Sequence, residues 1–210
     1  MNQMATLIKK IQSLKKTEIS EKIKQRIKEF KTINKNSADE LFKELCFCIL
    51  TANYNAEKTI KIQNKIGNGF LTDSKQQLTK KLIDSGHRFP NNRAEYISKA
   101  RKFKNQLRKI VQHHDKKIIR EWLVNNIKGI GYKEASHFLR NIGFDDYAII
   151  DFHIIDILTR YKIIEKPEYL SKKKYLEIEE ILRKIAKQTN LTLAELDLYL
   201  WYMETGKILK

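Results

Sequence analysis

Apolar residues return every three or four positions through almost every long segment of this chain, and that periodicity restricts it to a helical fold. In "SADELFKELCFCILTAN" the stripe runs through Leu41, Phe42, Leu45, Cys46, Ile49 and Leu50, behind a capping-box spacing of Ser37 and Glu40. "KKIIREWLVNNI" repeats it with Ile118, Ile119, Trp122 and Leu123, behind Asp115 as N-cap. "KKKYLEIEEILRKIAKQ" does so with Tyr175, Ile178, Ile181, Leu182 and Ile185. Thr192 and Glu195 form a second capping box, and Gly206 stands where a helix C-terminus favours glycine. No strand-like alternation appears, and only 7 Gly and 2 Pro interrupt 210 residues. The expected class is all-α: one unit over 1–210, built as two helical lobes with a cleft between them, both lobes mixing N- and C-terminal segments. Loops are expected at "IGNGFLTDS" and "GHRFPNN", and the arm up to about Lys35 reads as amphipathic and basic.

Charge narrows the choice of partner. Lys and Arg number 42 against 25 Asp and Glu, a formal net charge of +17. That excess suits a polyanion, because each neutralised phosphate releases condensed counterions. A lysine-rich surface tuned for solubility accounts for the same number. No stretch reaches the roughly 18 apolar residues of a membrane span, so no membrane partner is expected. Cys46 and Cys48 lie two apart on one predicted helix, where side chains do not face each other. They read as core thiols in a reducing cytoplasm and are too few for an iron–sulfur cluster.

The chemistry concentrates in "NNIKGIGYKEASHFLRNIG", residues 125–143. Gly129 permits a left-handed turn after one helix. Gly131 leaves the next helix start without a side chain, so its amides can face a phosphate. The stretch of about 116–142 is therefore a helix-hairpin-helix, a clamp for a DNA backbone. Lys133 falls in the first turn of the second helix, where the dipole disfavours an ammonium and favours a nucleophilic amine. An ordinary solvated lysine is the alternative. Eighteen residues on, Asp151 in "YAIIDFHIIDIL" can cap a helix and offer its second oxygen to a cleft.

These residues resemble the helix-hairpin-helix DNA glycosylase superfamily. "GIGYKEAS" followed by "IIDFHI" matches its lysine-bearing branch, and the likeness runs from "LCFCILTANYNA" to "LDLYLWYMETGKILK". It is nearest the compact archaeal-type 8-oxoguanine DNA glycosylase/AP lyases. The resemblance implies that Lys133 attacks C1′, expels 8-oxoguanine and holds the sugar as an imine before β-elimination. Asp151 is implied to stabilise the charge developing on the sugar and to help keep or make Lys133 neutral. Phe89 and Trp201 are implied on the two faces of the flipped base, and Lys210 in its recognition. Asn53 is implied in the gap left by the extruded nucleotide, and His153, like the hairpin glycines, at a phosphate.

Arg88, Arg93, Lys99, Arg101 and Lys102 read as DNA-backbone contacts or as a solvated face. No cofactor and no side-chain metal site are implied, although carbonyls of Asn125, Ile127 and Ile130 correspond to a monovalent-cation site in relatives. Lys128 stands where many relatives carry proline. The implied partner is double-stranded DNA containing 8-oxoguanine, bound by a monomer. Two other readings stay open: a non-catalytic DNA-binding module, which has no need of Lys133 with Asp151, and a monofunctional glycosylase for alkylated purines, which has no need of the lysine.

Overall fold

The structure, a computed structural model, describes residues 3–33 and 37–210; Met1, Asn2 and the stretch 34–36, with the end of the expected basic arm, lie outside them. The described residues form helices and no strands. α1 (Gln3–Leu14) and α2 (Glu18–Ile33) come first. α3 (Ala38–Thr51), α4 (Ala56–Ile66), α5 (Gly69–Thr72), α6 (Lys75–Asp84), α7 (Pro90–Ala100), α8 (Lys104–Ile110), α9 (Lys116–Asn126) and α10 (Tyr132–Asn141) follow. α11 (Phe152–Arg160), α12 (Lys172–Thr189) and α13 (Leu193–Thr205) come last. None is long and apolar enough to cross a membrane.

Two compact units emerge. One joins Met1–Lys31 to Gly143–Lys210; the other is Thr32–Ile142. Only the first combines distant parts of the chain; the second is a continuous stretch.

In the continuous unit α3 is the centre. Its expected stripe is buried, but so are Glu44, Phe47, Cys48 and Thr51, because α4, α5, α7, α8 and α10 all pack around it. Cys46 and Cys48 are both fully buried and unbridged, and burial holds the Cys46 thiol well above its usual pKa. The buried Glu44 carboxylate is not stranded: Oε1 accepts from Asn141 Nδ2 at 2.7 Å and Oε2 from Gln63 Nε2 at 3.4 Å.

Local sequence signals decide most helix ends. Ser37 caps α3 by accepting from the Glu40 amide, yet the reciprocal half of the expected box is replaced by an ion pair from Glu40 to Lys43 at 2.7 Å. Asp115 caps α9 through the Lys117 amide at 2.9 Å. Thr192 and Glu195 complete their box, and Gly206 ends α13 at φ +69°.

Three expectations shift. The segment 66–74 contains the single turn α5, so it is not wholly a loop. Pro90 opens α7 and draws Asn91 and Asn92 into it, since its fixed φ suits a first helical position. Ile118 is 44% exposed, leaving Ile119 and Leu123 to anchor α9.

In the composite unit the run Tyr147–Ile150 is buried and non-helical. Buried amides without a ladder partner must be satisfied some other way. α12 supplies the partners: Glu179 accepts from the Ala148 amide at 3.0 Å. The Tyr175 hydroxyl accepts from the Ile150 amide at 3.2 Å and donates to the Ala148 carbonyl at 2.7 Å. Lys15, in the turn after α1, donates to the Thr189 carbonyl at the end of α12, 2.6 Å away.

Candidate active site

The hairpin forms as its sequence demands. α9 ends at Asn126, Ile130 N–H donates to the Ile127 carbonyl at 3.1 Å, and α10 begins at Tyr132. Gly129 adopts φ +86°, and a β-carbon there would come within 2.3 Å of the Tyr96 ring on α7, so the position is closed to side chains on two counts. The turn rests on that ring: Lys128 Nζ lies 5.3 Å from its centroid and 3.4 Å from the Glu95 carboxylate. Lys128 thus ties the turn to α7. α9 and α10 are joined by Arg120, whose Nη1 donates to Ser136 Oγ at 3.3 Å while its guanidinium sits over the Tyr132 ring; the Tyr132 hydroxyl bonds Glu121.

Gly131 differs from expectation. Its φ of −96° is open to any residue, and its N–H donates to Glu134 Oε2 at 3.3 Å. The N-cap amide that precedes α10 is thus already met by a carboxylate at the N3 position, the reciprocal half of a capping box. The other oxygen of Glu134 stands 3.1 Å from Lys133 Nζ, and the two side chains are only 16% and 25% exposed. Glu134 was the residue sequence reasoning passed over. The signal was its place three positions after Gly131, the N3 position of a capping box.

Asp151 caps α11: Oδ1 accepts from the Ile154 amide at 3.0 Å, which leaves Oδ2 for another task. Its backbone follows directly from the buried run held by Tyr175 and Glu179. Lys133 belongs to the continuous unit and Asp151 to the composite one. His153, the second residue of α11, lies edge-on to Trp201 of α13 at 4.8 Å and against the Phe152 ring at 3.9 Å. Trp201 is half-buried, and its indole N–H is buried without a partner among the described residues. Lys210 is half-buried.

Phe89 and Asn53 lie on two loops of the continuous unit that are bolted together. The Tyr54 hydroxyl donates to the Gly86 carbonyl at 2.9 Å, and the Tyr54 and His87 rings stand 4.2 Å apart. His87 Nδ1 accepts from the Phe89 amide at 3.1 Å, so its proton resides on Nε2, which donates to the Leu50 carbonyl at 3.0 Å. That neutral form is favoured because burial lowers the His87 pKa, despite the opposing pull of the Leu50 bond. Asn53 is exposed at φ +57°, immediately after Ala52.

Of the five expected DNA-contacting cations, two are committed elsewhere. Buried Arg93 donates to the Ala52 carbonyl at 2.6 Å, and Arg101 to those of Phe70 and Gly69 at 2.8 and 3.2 Å. Lys99 pairs with Glu95, Lys102 lies over Phe103, and Arg88 lies 5.0 Å from the Phe89 ring centroid. Of the carbonyls expected to hold a cation, that of Ile127 already accepts the Ile130 amide.

Residues 23–191 match the family model described as 8-oxoguanine DNA glycosylase. An 8-oxoguanine DNA glycosylase/AP lyase of Methanocaldococcus jannaschii is 57% identical over 205 residues, 97% of this chain and 99% of its own. The crystal structure of the glycosylase/lyase from that organism, in complex with a 15mer DNA containing 8-oxoguanine, is similar at TM-score 0.95, covering 98% of this chain and 100% of that one. The 8-oxoguanine DNA glycosylase of Thermotoga maritima is similar at TM-score 0.94 and 44% identity, over 99% and 100% of the two chains. With a lysine in the first turn after a glycine hairpin, and likeness along nearly its whole length, this chain belongs to the 8-oxoguanine DNA glycosylase family.

Proposed function

We propose that this protein is a DNA-repair enzyme, a bifunctional 8-oxoguanine DNA glycosylase with AP lyase activity. Lys133 is the nucleophile. Its amine forms a bond to C1′ as the glycosidic bond breaks and its electron pair leaves with the oxidised base. Asp151 Oδ2 stabilises the positive charge that builds on the sugar. Ring opening gives an imine between Lys133 and C1′, and loss of a C2′ proton expels the 3′ phosphate by β-elimination. Phe89 and Trp201 stack on the extruded base, Lys210 contributes to its recognition, and Asn53 enters the space it vacates. His153 and the hairpin at Gly129 and Gly131 hold phosphates. A monovalent cation on carbonyls of Asn125, Ile127 and Ile130 adds charge to that grip. The two compact units work as one glycosylase, acting as a monomer on duplex DNA.

The observation that supports this reading most is Lys133 itself, three-quarters buried in the first turn of α10 beside a hydrogen-bonded carboxylate. Surface lysines of a simple DNA-binding module have no reason to be so enclosed. Borohydride trapping on an 8-oxoguanine duplex tests it. A covalent adduct is expected with the natural protein and none with Lys133→Gln, which keeps its duplex affinity within about threefold. An adduct that persists in Lys133→Gln assigns the chemistry to another amine.

A further inference from the structure

A primary amine that attacks C1′ must shed protons twice over. It has to be neutral to attack, and the new C–N bond leaves a surplus proton on nitrogen that must go before the lone pair can close the imine. We propose that Glu134 is the proton acceptor for Lys133. The inference rests on the assignment of Lys133 as nucleophile and extends it to the atom that takes its proton.

Three features of the geometry carry it. Glu134 Oε1 lies 3.1 Å from Lys133 Nζ, at hydrogen-bond distance, whereas adjacent residues on a helix ordinarily point apart. The carboxylate is aimed: Oε2 is held by the Gly131 N–H at 3.3 Å, so the helix start orients the group while Oε1 faces the amine. The site is also enclosed, with Glu134 16% and Lys133 25% exposed, so bulk water is a poor competitor for the proton. Arg93 on α7 is a charged neighbour that interacts electrostatically with Glu134, and its Nη2 is already committed to the Ala52 carbonyl.

Glu134 Oε1 first takes a proton from the Lys133 ammonium and passes it to the nitrogen of the departing base as Lys133 Nζ bonds C1′, which restores the carboxylate. After C1′–N bond formation the nitrogen is a secondary ammonium; one N–H proton passes to Glu134 Oε1, and the freed lone pair forms C=N as the C1′–O4′ bond breaks. The Glu134 carboxylic acid then stands beside the departing O4′ alkoxide and returns the proton to it, restoring the carboxylate. No other reactant is consumed.

Glu134→Gln separates this role from helix capping, because the glutamine amide oxygen still accepts the Gly131 N–H but cannot take a proton. Single-turnover borohydride trapping is measured on two duplexes, one with 8-oxoguanine and one with a preformed abasic site, alongside duplex affinity and thermal stability. Trapping is expected to fall about 100-fold on both, within the range of positioned proton transfer, with affinity and stability unchanged and no recovery in Glu134→Ala. The abasic duplex needs no base release, so a defect there locates the fault in imine formation. Trapping by Glu134→Gln within threefold of the natural protein on the abasic duplex overturns the proposal and leaves Glu134 a cap. Lys133→Gln runs in parallel: an adduct in that variant removes the nucleophile assignment itself, which is a different failure from a competent Glu134→Gln.

Discussion

Asp151 shows how one side chain serves structure and chemistry at once. Oδ1 is spent on the Ile154 amide, so replacing the residue by alanine removes a cap as well as a charge. Asparagine caps about as well as aspartate, which makes Asp151→Asn the informative change. The variant is expected to keep its melting temperature within about 2 °C, since the cap persists, while single-turnover 8-oxoguanine release slows by about 100-fold through loss of charge stabilisation. Equal losses in stability and rate reduce Asp151 to a cap. At this scale the sequence was informative wherever a residue type has one narrow use. Gly129, needing both φ +86° and an absent side chain, is of that kind. Arg93 is not: an arginine in a polar stretch looks the same whether it meets a phosphate or, as here, the Ala52 carbonyl. Glu134 was opaque for a related reason, because a glutamate in a first turn is common and its second oxygen's target depends on a rotamer.

Among the elements, the stretch 147–150 is the most exacting. It carries four buried side chains on a non-helical backbone, and the polar groups of Ala148 and Ile150 are met by side chains of α12. Tyr175→Phe keeps the ring and deletes the hydroxyl that serves both Ile150 and Ala148. It is expected to cost about 2 kcal/mol by urea denaturation, the range for stranding buried polar groups. It should also slow base release, because Asp151 is the next residue. Full stability in Tyr175→Phe shows that the hydroxyl is dispensable to this run. Periodicity revealed α12 and its face of Tyr175, Ile178, Leu182 and Ile185, with Ile181 of the expected stripe only half-buried, but not that Tyr175 and Glu179 reach across to another segment's backbone. The capping box at Thr192 and Glu195 was legible because it is closed within four residues. The Ser37 box was half wrong because Glu40 had a competing lysine one turn away.

Over the molecule as a whole, the net charge of +17 carries the physical expectation. With Arg93 and Arg101 committed to carbonyls, the cations available to DNA are chiefly lysines, which act as point charges more than as base readers. Affinity for an undamaged duplex is therefore expected to fall at least about tenfold between about 50 and 200 mM salt, the drop for two or more phosphates neutralised. Fluorescence anisotropy across that range checks it, and a flat response contradicts a phosphate-based grip.

By itself the sequence determined the helical class, most helix ends, the glycine hairpin and the lysine in its wake, because each follows from interactions spanning a few residues. Tertiary structure decided the rest: burial of α3 on every side, the bolting of the Phe89 loop to the Asn53 loop through His87 and Tyr54, and the aim of Glu134 at Lys133. Those depend on which distant groups arrive within about 3 Å of one another, and no local pattern of residue types encodes such a distance.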